Sequence, residues 1–393
     1  MFLNLQNVFT MEEKRRNFIK NSASLAAAIS VGGLGLVHSR HKTMKIEKLN
    51  GLSKDAGIEM SNAYFWGMQA HEHLIALAKQ MGAYGAIAGI DQRLFKNKSA
   101  KPWEYKAIKS VVDSWKEVGL HYTVVEGPPA LGAKTKLGLD GRDEEIENFI
   151  TFMQNLKRAG VDCICYNWMP VISWARTSTD SVGRGGALMT SFDYDKIKDK
   201  PLTEFGEFSK ETLWKNLEYF LKAVVPEAEK LGMKLALHPD DPQVHSIQGI
   251  PRIMNTVENF DRMLNMVPSD YNGITMCQGN FSLMGPDIPA LIRRWGNAGK
   301  IHFVHFRNVR ELSGVLPSTK FTETFHDEGD IDMYEAMKAY YDIGFKGAMR
   351  ADHVPTMARE KNIRPGYMDL GNLFAIGYMR GLAESVSKEN RKL

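Results

Sequence analysis

Four residues in the second half of the chain are of types that ligate metals, and each closes a short apolar run. His238 follows 234–237, Cys277 follows 273–276, His305 follows 301–304, and Asp352 closes 347–351. Imidazole, thiolate and carboxylate together suit a borderline divalent ion such as Mn²⁺, Fe²⁺ or Zn²⁺. One histidine at the end of a strand is ordinarily satisfied by hydrogen bonds in a core. Four such residues on four successive strand-like runs point instead to a shared metal site.

Those residues meet only if the strand ends converge. Each run is followed by a loop and a helix-like segment, and the same alternation precedes them. A weak first strand is expected at 62–66, then strands at 84–89, 121–126 and 162–167, with helical patterns such as 71–81, 144–159, 213–231 and 333–343 between strands. Eight strand–helix pairs predict a closed parallel sheet, a single (β/α)8 barrel, in which catalytic residues gather at the C-terminal ends of the strands. Two longer loops, 177–195 with Arg184-Gly185-Gly186 and 354–365, follow the fourth and eighth strands and are expected to lie over the mouth. His302, three residues before His305, points to the opposite face of its strand and reads as structural.

Composition narrows the function classes. With 44% hydrophobic and 24% charged residues the chain can bury a full core, and a length of 393 suits one barrel with insertions. A formal charge of +4 offers no basic stripe of the kind nucleic-acid binding needs. Part of that charge lies at the N-terminus, where Lys14-Arg15-Arg16-Asn17-Phe18-Ile19-Lys20 precedes a weakly apolar stretch, 22–37. This pattern reads as a twin-arginine export signal, too short for a comfortable membrane span of about 20 residues. We therefore divide the chain into a signal peptide, 1–39, and a catalytic barrel, 40–393, with delivery to the periplasm and no membrane contact beyond export. Loss of Lys14, Arg15, Arg16, Lys20, Glu12 and Glu13 would lower the charge from +4 to +2. Cys163 and Cys165 sit two apart on one strand face, roughly 7 Å between Cα atoms, a poor geometry for a disulfide, and read as core thiols.

The residues then carry a family resemblance. His238-Pro239-Asp240-Asp241-Pro242, Gly249-Ile250-Pro251-Arg252, Cys277-Gln278-Gly279-Asn280, His305-Phe306-Arg307-Asn308-Val309 and Asp352-His353-Val354-Pro355 resemble mannonate dehydratase, the hexuronate-pathway lyase. Upstream, Cys165-Tyr166-Asn167-Trp168-Met169-Pro170-Val171 and Trp174-Ala175-Arg176-Thr177 resemble it too. The resemblance implies a xylose-isomerase-like TIM barrel holding Mn²⁺ or Fe²⁺ through His238, Cys277, His305 and Asp352. It also implies that His353 and Tyr367 are the acid and base groups, and that a small sugar acid is the substrate. The chain departs from the family pattern at Ala88-Gly89-Ile90-Asp91 and at Glu126-Gly127-Pro128-Pro129-Ala130, in the half of the mouth that would hold the sugar chain.

The implied chemistry explains the residue types. Dehydrating a 2,3-dihydroxy acid removes a weakly acidic C2 proton and expels the C3 hydroxyl, so the developing enediolate needs a divalent cation beside it. One group takes the proton and another protonates the leaving hydroxyl. Sequence leaves open which of His353 and Tyr367 does which. Arg307 and Arg176 are candidates for the substrate carboxylate, because a guanidinium fork matches it bidentately, with structural ion pairs as the alternative; Asn308 is placed with them as substrate-binding. A sugar isomerase or epimerase on the same metal barrel, and a non-catalytic sugar-acid binder, are the competing functions. A homo-oligomer is compatible with all three.

Overall fold

The computed structural model describes residues 57–390; the expected signal peptide and its boundary with the barrel lie outside the described residues. Eight strands form the closed barrel: β1 (Glu59–Ala63), β2 (Gly85–Ala88), β3 (His121–Glu126), β4 (Cys163–Asn167), β5 (Lys234–His238), β6 (Asn272–Cys277), β7 (Ile301–His305) and β8 (Ala348–Arg350). All neighbours pair in parallel, and β8 closes on β1 through Glu59↔Ala348. Strands buried on both faces read as continuous apolar runs, and β6 is buried along its whole length. Inside the barrel, Ile87, Val124, Cys163, Cys165, Ala236, Phe303 and Ala348 pack together. The two neighbouring thiols are thus core groups, buried and unbridged as expected.

Eight helices follow the strands: α1 (Glu72–Gln80), α2 (Tyr105–Glu117), α3 (Arg142–Arg158), α4 (Lys210–Leu231), α5 (Val257–Met266), α6 (Ile288–Asn297), α7 (Met333–Asp342) and α8 (Asp369–Asn390). Their ends follow from local chemistry. Ser209, Thr256, Asp287 and Asp332 accept backbone N–H groups at the starts of α4, α5, α6 and α7, and Gly232 closes α4 in the left-handed conformation that β-carbons disfavour. The inner stripe of α6, Ile288, Leu291, Ile292 and Trp295, recurs at helical spacing and is buried against the barrel. Each such side chain contributes roughly 1.5–3 kcal/mol of transfer free energy. Among the described residues no helix is long and apolar enough to cross a membrane.

Two expectations change. β1 begins three residues earlier than the 62–66 run, at the Glu59↔Ala348 pairing, and ends at Ala63↔Ile87; Tyr64 stays in the core, and Phe65-Trp66, which favour strands by composition, form a turn instead. The segment 177–195 is not an open loop. Its strands Ser178–Val182 and Leu188–Asp193 join Lys320–Glu323 and Val309–Glu311 in a four-stranded antiparallel sheet. Phe192, Phe321 and Val309 pin that sheet on Val244, Ile247 and Leu283. The second long loop reaches it through paired hydrogen bonds between Leu188 and Thr356.

Candidate active site

His238, Cys277 and His305 are the last residues of β5, β6 and β7, and Asp352 stands two residues beyond β8. The barrel brings the first three to one point and sets Asp352 beside them. Nε2 of His238 lies 3.1 Å from Nδ1 of His305, and Oδ2 of Asp352 lies 3.7 Å from both Cys277 Sγ and His305 Nδ1. The donor atoms of His238, Cys277 and His305 fall within 4.8 Å of one another. Bonds of about 2.0–2.3 Å to one ion would space its ligands by roughly 3.3–3.8 Å, so the N, N, S, O set fits a divalent cation.

The surroundings orient these donors. His238 Nδ1 donates to the Pro239 carbonyl at 2.7 Å, which leaves the Nε2 lone pair facing its neighbours. His305 Nε2 faces the Glu126 carboxylate at 3.5 Å, so Nδ1 is its inward nitrogen. Burial pushes Asp352 up, but the charges of His353, Arg350, His305 and Arg307 hold it well below the usual carboxylate range. Arg350 donates to Asp352 Oδ1 at 2.8 Å and clasps Glu126 with Nε and Nη2 at 3.1 and 2.9 Å. Partial burial raises the Glu126 carboxyl, but Arg350 and then His305 bring it down to about 2.

Glu126, Cys165 and His305 form a second close group of ligand types. It does not suit a cation: Arg350 already neutralises Glu126, and burial pushes the Cys165 thiol well up. Sequence reading missed both Glu126 and Arg350. Glu126 ends a strand-like run just as His305 does, so the rule that found the ligands could also have found it.

Beside the donors opens a cavity of about 340 Å³ lined by Phe65, Trp66, Asn167, Trp174, His353 and Tyr367 together with His238, His305 and Asp352. The Tyr367 hydroxyl donates to Asp352 Oδ1 at 3.2 Å, and burial, then the Asp352 charge, raise it well above the usual phenol range. His353 Nε2 lies 3.8 Å from the same oxygen, and the two rings meet edge to face at 5.3 Å. Both sequence-predicted proton-transfer residues therefore face the donor cluster.

The three residues expected to bind substrate are placed differently. Arg307 spends its donors on Glu323 at 2.9 and 2.5 Å, Asp241 at 3.0 Å and Asn280 at 2.6 Å. Arg176 bonds Asp241 at 2.5 and 3.0 Å and Glu323 at 2.5 Å. Neither side chain lines the cavity. Both arginines stand in buried ion pairs, the alternative role expected for them. Asn308 is also structural, with its amide giving two hydrogen bonds to the carbonyls of His326 and Ile331 and accepting two from the backbone of Val309 and Ile331. His302, as expected, turns away, to the carbonyls of Leu235 and Asp270.

With this geometry in hand, the chain can be set beside known proteins. A family model described as D-mannonate dehydratase (UxuA) matches residues 60–206 and 200–393. The mannonate dehydratase of Thermotoga maritima is 32% identical over 367 residues, which cover 85% of this chain and 99% of that one. That of Streptococcus agalactiae is 33% identical over 339 residues, 80% and 95% of the two chains. The crystal structure of mannonate dehydratase from Streptococcus suis superposes with a TM-score of 0.74 at 30% identity, covering 85% of this chain and 95% of that one. A xylose isomerase domain protein from Alicyclobacillus acidocaldarius, 11% identical with a TM-score of 0.54 over 84% of this chain and 99% of its own, shares the fold.

Proposed function

The chain belongs to the D-mannonate dehydratase family, and from the site its residues build we infer that it removes water from D-mannonate to give 2-keto-3-deoxy-D-gluconate. The observation that carries this reading is the meeting of a proton-transfer pair and a cation-type donor set on one carboxylate. Asp352 lies 3.2 Å from the Tyr367 hydroxyl and 3.8 Å from His353 Nε2, while its other oxygen faces Cys277 and His305.

His238, Cys277, His305 and Asp352 would hold the metal, for which Mn²⁺ or Fe²⁺ is proposed. When bound it supplies positive charge beside the acid end of the substrate, which acidifies C2. The chain's own groups do the rest. One member of the His353–Tyr367 pair takes the C2 proton, and the other protonates the C3 oxygen as it leaves, each at the scale of about 10²–10⁴-fold. Return of a proton to C3 and loss of one from the C2 hydroxyl give the keto product and restore both residues. Asn167, Ser173 and Thr179 offer hydrogen bonds to the sugar hydroxyls along the cavity wall. Trp66 and Trp174 shield the reacting end from water.

Incubation of the Mn²⁺-loaded mature protein with a panel of aldonic acids tests this function. A 2-keto-3-deoxy acid formed from D-mannonate in preference to its epimers is expected, and a panel with no dehydrated product would overturn the reading. We also propose that the chain is delivered folded to the periplasm by the twin-arginine route, on the strength of Arg15-Arg16 and the apolar stretch after them.

A further inference from the structure

Glu323 ends the third strand of the mouth sheet, far in sequence from any ligand, and is buried. Its Oε1 lies 2.9 Å from Nδ1 of His353. Two guanidinium groups fix the same carboxylate. Arg307 reaches it with Nε at 2.9 Å and Nη2 at 2.5 Å, and Arg176 with Nη2 at 2.5 Å. Asp241 is shared by both arginines, so two cations and two anions close a compact network behind the imidazole.

We propose that Glu323 is a positioning residue that holds His353 with its proton on Nδ1, so that Nε2 enters the reaction with a free lone pair and His353 is the base while Tyr367 is the acid. A carboxylate between two guanidiniums has only lone pairs to offer. A 2.9 Å contact with an unprotonated Nδ1 would set lone pair against lone pair; with a proton there it is a charge-assisted hydrogen bond. Arg176 Nη2 also comes within 3.3 Å of Nδ1, but its stronger calls are the two carboxylates. The ring cannot easily turn to exchange its nitrogens, since Tyr367 stands edge-on at 5.3 Å and Trp174 packs at 5.3 Å. Nε2 is thereby left on the side of Asp352 and the cavity.

The proton balance follows. The C2 proton passes to Nε2, and the C–H electron pair becomes the enediolate. That pair then forms the C2–C3 double bond as the C3–O bond breaks and the Tyr367 hydroxyl proton leaves with the oxygen as water. The enol hydroxyl returns a proton to the Tyr367 oxygen, and Nε2–H delivers its proton to C3. Throughout, the imidazolium formed in the first step is paired with Glu323, the role a buried carboxylate plays behind a catalytic histidine elsewhere. Arg176 and Arg307, which do not reach the cavity, gain a purpose here: they keep Glu323 ionised and in place.

This inference rests on His353 being a proton-transfer group in the dehydration, and the test separates the two claims. Long-range ¹H–¹⁵N spectra of the ¹⁵N-histidine-labelled, zinc-loaded protein report which ring nitrogen carries the proton, Zn²⁺ being diamagnetic; the signal missing in His353→Asn assigns the residue. An Nδ1–H tautomer for His353 in the unsubstituted protein is expected. In Glu323→Gln that signal should shift toward the Nε2–H pattern, with kcat lowered roughly 100-fold, KM and bound metal near normal, and part of kcat retained in Glu323→Asp. An Nε2–H tautomer in the unsubstituted protein would overturn the proposal whether or not the variants fold. Wild-type turnover in His353→Asn would instead count against the catalytic reading and leave the tautomer result to judge Glu323.

Discussion

A thiol, two imidazoles and a carboxylate turned toward one another at 3.1–3.7 Å are the donor types and spacing that one divalent cation takes. Replacing Cys277 or Asp352 by alanine should remove bound metal and activity together while the far-ultraviolet circular dichroism spectrum stays unchanged, because the barrel core is built from other residues. Elemental analysis of the purified variants decides it, and full occupancy in both would refute the assignment. His353→Asn and Tyr367→Phe should behave differently, losing at least about 100-fold in kcat with normal metal content and little change in KM. At this scale the sequence was informative where chemistry coincides with position. The four ligand-type residues were visible as polar closures of apolar runs. The roles of Arg176 and Arg307 were not, since a guanidinium that binds substrate and one that binds a buried carboxylate look alike until Asp241 and Glu323 are seen beside them.

The barrel strands were legible because burial on both faces leaves unbroken apolar runs, and α3, α4 and α7 because their apolar residues recur at helical spacing. The mouth sheet was not. Its strands are three to six residues long, and Ser178–Val182 is polar enough to read as a turn, so only the pairing of distant segments reveals it. That sheet carries Glu323, and β3 carries Glu126, which Arg350 ties across to β8. Both carboxyls sit near 2 in the folded protein against an ordinary value near 4.5. A depressed folded pKa means that the unfolded chain binds protons first, so their stabilisation is complete above about 4.5 and fades as pH falls toward 2. Thermal melts should show a steep loss of stability across that window, and Glu126→Gln should flatten it. A melting temperature independent of pH from 5 to 2.5 would contradict this picture of the cross-strand ion pairs.

At the scale of the described residues, one barrel with its site at the C-terminal mouth matches the fold read from strand–helix alternation, and the N-terminal reading is put to a cellular test. Changing Arg15 and Arg16 to lysine keeps charge but not guanidinium recognition, so the precursor should accumulate in the cytoplasm; unchanged periplasmic delivery by fractionation would show the signal was misread. The departures at Ala88–Asp91 and Glu126–Ala130 fall in the half of the mouth that would hold the sugar chain, and Glu126 and Gly127 line the cavity. The claim most worth testing is therefore the reaction itself. Incubating the Mn²⁺-loaded protein with D-mannonate in D₂O and following it by NMR should yield 2-keto-3-deoxy-D-gluconate, formed at least about 100-fold more slowly by His353→Asn. Recovery of an epimer or ketose that keeps all its hydroxyl groups, with deuterium at C2, would contradict dehydration and place the chain among the isomerising barrels.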